Sequence, residues 1–65
     1  MGTGYGKDII KLLQKNGCTF VRQGKGDHEI WYSPITNRQV TLDYGTNDKY
    51  TANGTLKQAG INHKF

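Results

Sequence analysis

The sequence predicts an α+β fold: a small αβββα domain in which a three-stranded antiparallel sheet carries two helices on one face. Three observations lead there. Residues 7–16 set Ile9, Leu12 and Leu13 at the i, i+3, i+4 spacing of an amphipathic helix. Three short runs rich in β-branched and aromatic residues follow, separated by turn residues and not by helical crossovers. The chain then closes on LKQAGI, which shares the logic of the earlier LLQKNGC: apolar residues, a lysine, and a glycine cap that returns an apolar residue to the core.

Taken in order, the glycine-rich start MGTGYG predicts a flexible segment over residues 1–6 of a single domain spanning 1–65. In the first helix Lys7, Lys11 and Lys15 recur every fourth residue on a face away from the apolar one, and Gly17 ends it with Cys18 just beyond. Residues 18–23 read as the first strand, ending at Gly24. Residues 28–33 form the second, PITN supplies a turn, and residues 39–42 form the third. Alternation along the second strand sets His28, Ile30 and Tyr32 against Glu29, Trp31 and Ser33, and neither set is clearly the apolar one. Residues 51–59 predict the second helix. Gly54 and Thr55 disfavour it, Gly by up to about 1 kcal/mol against Ala, so tertiary packing must hold it.

Sixty-five residues make one domain with a thin core, burying roughly 60% of the unfolded chain's surface. A single cysteine excludes an internal disulfide, and one Cys with two distant His residues has no zinc-like spacing, so no metal or other cofactor is expected and a reducing cytoplasm suits the chain. No apolar run approaches a membrane span. Nine Lys and Arg against five Asp and Glu leave a charge of +4, which favours polyanionic or acidic partners.

The stretch GKGDHEIWYSP puts His28 between a flexible basic turn and an aromatic strand. An exposed strand-end histidine is usually surface decoration. It is also the residue type best able to move a proton near neutrality. Cys18, with no histidine near it, reads as a small core residue and not as a nucleophile. His63, in the terminal NHKF, reads as an exposed tail without a role. GKG lacks the GKS or GKT ending and the following helix of a nucleotide phosphate-binding loop.

LLQKNGC, FVRQGKG, GDHEIWYSP and TANGTLKQAGI, in this order over nearly the whole chain, resemble the HicA family of toxin ribonucleases, the RNA-cleaving halves of HicAB toxin-antitoxin pairs. The most specific element is the glycine-rich turn closed by a histidine, Gly26-Asp27-His28. The resemblance implies a fold like that of double-stranded-RNA-binding domains, catalysis by His28, mRNA as substrate and a HicB-like antitoxin. Asp43 and Asp48 stand where positive charge is more usual in the family, which argues against RNA contacts from that side.

Within this frame RNA supplies its own nucleophile, the 2′-OH, so cleavage needs only a proton carrier and donors for the phosphate, without a metal. Arg22 suits a forked phosphate contact and Lys25 a point-charge contact, with Lys11 and Lys57 as further RNA-binding cations. The proton for the leaving 5′-oxygen has three candidate sources: His28 through a water, Lys25, or Tyr32. Trp31, Tyr32 and Tyr44 are candidates for stacking on bases, Trp31 and Tyr32 equally for filling the core. Two rivals remain: a non-catalytic RNA-binding module of the same fold, and a purely interacting protein.

Overall fold

A computed structural model describes residues 4–65 of the chain. Helix α1 (Gly6–Lys15) is followed by strands β1 (Thr19–Gln23), β2 (His28–Ser33) and β3 (Arg38–Asp43), then helix α2 (Lys49–Gln58). The strands form one antiparallel sheet in the order β1-β2-β3, and the helices pack against each other and against β3. This is the α-β-β-β-α order expected. Of the segment expected to be flexible, residues 1–3 lie outside the described residues; Tyr5 is half-buried and its N–H donates to the Thr46 carbonyl (2.9 Å).

The face left open by the sequence is decided by β3. Trp31 pairs with Val40 and Glu29 with Leu42, so the Trp31 side shares the face on which Val40 and Leu42 are fully buried. Ile9 and Leu13 of α1, Ala52 and Leu56 of α2, and Ala59 just after it cover that face, at the i, i+3, i+4 spacings of two apolar stripes. Ser33, also fully buried there, donates its hydroxyl to the Ala59 carbonyl (2.6 Å), so the buried polar atom is satisfied. Trp31 is 4% exposed: it is a core residue and not a stacking platform.

Both helices end as expected. The Cys18 N–H reaches the Leu13 carbonyl and the Ile61 N–H the Leu56 carbonyl (2.9 Å each), the six-to-one bond of a glycine-ended helix, and both residues are buried. Helix α2 starts two residues earlier than its pattern predicts, because Asp48 caps it: its carboxylate accepts from the Tyr50 N–H (3.1 Å) and the Thr51 hydroxyl (3.0 Å). Thr55 is tolerated since its hydroxyl donates to the Thr51 carbonyl (3.2 Å).

Both helices begin at the His28 end of the sheet. α1 runs into Thr19, which pairs with Tyr32 far from His28, and α2 finishes where the Gln58 carbonyl meets Thr36 in the β2–β3 turn. At the near end α1 is pressed onto the chain leaving β3. A Cβ on Gly6 would lie 2.3 Å from the Tyr44 carbonyl oxygen and 2.9 Å from its ring. At Gly54 a Cβ would meet nothing within 4 Å.

Gly6→Ala should therefore destabilise the domain by about 1–3 kcal/mol, as overpacking does, while Gly54→Ala should stabilise it by up to about 1 kcal/mol. Urea unfolding of both variants checks this. Equal midpoints for the two would contradict the packing described.

Candidate active site

The β1–β2 connection, residues 24–27, is built to fix the backbone of His28. Gly26 takes a positive φ of 63°, the conformation that lets the chain reverse. The His28 N–H donates to the Lys25 carbonyl (3.1 Å), and its own carbonyl accepts from the Gly24 N–H (2.8 Å) and from Gln23 Nε2 (2.8 Å), which also reaches the Gly26 carbonyl (3.2 Å). The main chain is held three times over. The side chain, by contrast, is exposed. Gln23 was not singled out by the sequence reading; nothing in an isolated glutamine signals that it will clamp a turn.

His28 points to the side of the sheet that the helices leave open, with Ile30 and Tyr32. Arg22 joins it there because of a β-bulge. Phe20 pairs with Trp31 on the core face, the register then slips by one, and Arg22 pairs with Ile30 on the open face. Without the slip, strict alternation would send Arg22 to the helix side. A Cβ on Gly24 would lie 3.2 Å from the His28 Cβ, so glycine there keeps the space beside the imidazole clear.

Across the strand from His28 stands Asp43, half-buried. Because the Tyr44 N–H bonds the Asp27 carbonyl (3.0 Å), the two residues form a non-hydrogen-bonded pair, in which side chains approach most closely. One Asp43 oxygen accepts from the Gly45 N–H (3.2 Å). The two acidic residues that stood out in the sequence are thus employed within the fold, Asp43 on Gly45 and Asp48 as the α2 cap.

The remaining candidates separate clearly. Lys25 is exposed on the turn itself. Lys11 and Lys57 are exposed on the helices, behind the sheet, and Lys57 belongs to the end of α2 remote from His28. Lys7 and Lys49, in the first turns of the helices, lie at the His28 end. Tyr32 is half-buried, gives its hydroxyl to Asn37, and sits four residues along β2, roughly 13 Å from His28 at ~3.3 Å per residue. At that distance it is out of hydrogen-bond reach of a group held at His28. Cys18 is buried and free. His63 is exposed and packs edge-on against Phe65 (4.9 Å). A hollow of about 470 Å³ is bordered by Asn53, Lys57, Ile61 and Lys64 at the far end of α2, away from His28. Among the described residues no three His, Cys, Asp or Glu side chains group as metal ligands, and no helix is long and apolar enough to cross a membrane.

What emerges is an exposed imidazole on a rigid hairpin, with a guanidinium on the same face and a lysine on the adjoining turn. Such a surface suits a polyanionic chain lying across it. No curated protein and no solved structure gives a significant match to the sequence. A family model described as the HicA toxin of bacterial toxin-antitoxin matches residues 6–61, from the first residue of α1 to the apolar residue beyond α2. The chain belongs to the HicA toxin family of bacterial toxin-antitoxin systems.

Proposed function

We propose that this toxin is a cytoplasmic, metal-independent endoribonuclease that cuts mRNA with His28 as its proton carrier. The observation that supports this most is the contrast within one residue: a backbone fixed by three hydrogen bonds and a ring left in solvent. Exposure by itself fits surface decoration equally well; what favours chemistry is that the turn fixes the direction of this position and Gly24 keeps the space beside the ring clear. Neutral His28 takes the proton of the 2′-OH as that oxygen bonds to phosphorus. The bond from phosphorus to the 5′-oxygen breaks, leaving a 2′,3′-cyclic phosphate, and the departing oxygen takes up a proton from Lys25 or from imidazolium through a water. Arg22, on the same face, offers a forked contact to the phosphate oxygens, and Lys25 a second cation. Lys11 and Lys57 serve at most the more distant backbone.

The lysine row on α1, with all three of Lys7, Lys11 and Lys15 exposed, favours the competing reading of an RNA-binding module without catalysis. Cleavage separates the two. Purified wild-type protein should shorten RNA in EDTA, and His28→Ala should lower the rate by about 10² to 10⁴ fold with the circular-dichroism spectrum and RNA affinity retained. Near wild-type cutting by His28→Ala, or restoration of an EDTA-blocked reaction by magnesium, would contradict the proposal.

The partner follows from charge. A +4 domain is silenced most directly by a HicB-like antitoxin whose Asp- and Glu-rich surface covers the turn from Lys25 to His28. The association rate of the pair should fall as salt rises, and Lys25→Glu should weaken the complex. An antitoxin that binds elsewhere and leaves RNA cleavage intact would contradict this placement.

A further inference from the structure

We infer that Tyr44 and Tyr50 are stacking platforms for unpaired bases of the RNA beside the cut; this rests on the ribonuclease reading above. The four tyrosines have different surroundings. Tyr5 packs on Phe65 with ring centroids 4.7 Å apart, and Tyr32 is tied to Asn37. Tyr44 and Tyr50 remain, 37% and 76% exposed.

Their position is what matters. Tyr44 follows Asp43, the residue directly across from His28, and its N–H is bonded to the Asp27 carbonyl of the hairpin turn. Its ring turns to the helix side, where it walls an open cleft of about 260 Å³ with Gly4, Gly6 and Lys7. The contact with Gly6 braces the ring, and two glycines give the cleft a low wall against which a flat base can lie. Tyr50 stands on the first turn of α2, and α2 begins at the same end. Nothing in the fold requires an aromatic ring at a position that is three-quarters exposed. Lys49 Nζ lies 5.7 Å from the Tyr50 ring centroid, within cation–π range, leaving the other face of the ring to solvent.

Asp43 and Asp48 make this side poor for phosphate, but both carboxylates are engaged, on the Gly45 N–H and on the first turn of α2, and Lys7 and Lys49 stand beside the two rings. An RNA strand crossing His28 on the open face would thus round the end of the sheet and meet Tyr44 and Tyr50 through its bases and not its phosphates. Stacking on an aromatic face requires that the base be free of its helix, and it accepts any base because every base has a π-face. The class of substrate implied is single-stranded RNA, read without strong sequence preference at these positions.

The test uses a single-stranded oligoribonucleotide carrying 2-aminopurine, bound to the full chain with His28→Ala so that it stays whole. Stacking should quench the fluorescence. Tyr44→Ala and Tyr50→Ala should each weaken binding roughly 5- to 100-fold and relieve quenching, Tyr44→Phe should retain both, and the same sequence as a duplex should bind alike to all variants. With otherwise wild-type protein, the alanine changes should raise KM more than they lower kcat. Because Tyr44→Ala removes packing on Gly6, Tyr50→Ala and Tyr44→Phe carry the decision if it fails to fold. Unchanged affinity and quenching in Tyr50→Ala, or loss of both in a folded Tyr44→Phe, would overturn the inference. Cleavage by the wild type reads the ribonuclease proposal separately: quenching without any cutting would support the platforms and sink the nuclease.

Discussion

The one-residue slip between Phe20 and Arg22 sets what each face of the sheet does. Before it, β1 contributes Phe20 to the side of Trp31 and Val40; after it, the same strand contributes Arg22 to the side of His28. Phe20 is 51% exposed and meets the buried Trp31 edge-on, its ring 5.8 Å away. The bulge lets a single short strand place an aromatic ring against Trp31 at one end and a guanidinium on the face of His28 at the other. Bulges are found beside active sites for this reason: they re-aim a side chain without a new element.

The sheet's two ends are equally unlike. At the Ser33 end the helices finish, and the last carbonyls of α2 meet Ser33 and Thr36. At the His28 end the helices begin, α1 jammed against Tyr44 through Gly6 and α2 started by Asp48. The first end holds the buried hydrogen bond from Ser33 to the Ala59 carbonyl. The second gathers exposed histidine, lysine and tyrosine side chains on short connections, the usual division between a rigid scaffold and the loops that act from it.

Much of this was legible in the residues. The apolar spacing of Ile9 and Leu13, the glycine ends of both helices and the run HEIWYS each state a local preference that tertiary structure leaves in place. The family resemblance pointed to the same topology and singled out His28. What was not legible depends on register. Trp31 and Ile30 are both apolar, so β2 alone cannot say which face is inside; only its pairing with Val40 and Leu42, set by the turn at Pro34–Asn37, decides it. The same holds for Arg22, whose face is fixed by a bulge that no turn residue announces, and for Gln23, whose amide acts through backbone carbonyls. Asp48 was readable as a helix cap, since an acid three residues before a threonine-alanine pair is an ordinary start signal, but its charge drew attention first. Tyr50 gives no signal of its own, since a lone aromatic in a polar segment does not reveal whether it will be covered; it is 76% exposed.

The proposed function turns on one chemical step, attack by the RNA's own 2′-oxygen with His28 as proton carrier. The direct measurement is the cleavage rate of an RNA carrying a single 2′-deoxy nucleotide at the cut position, compared with the all-ribose strand and with His28→Ala protein, affinity being measured alongside. The account predicts that the deoxy strand binds as tightly as its ribose counterpart and is not cut by wild-type protein at that position. Cutting of the deoxy strand at an undiminished rate would mean that an external nucleophile does the work, and would contradict it.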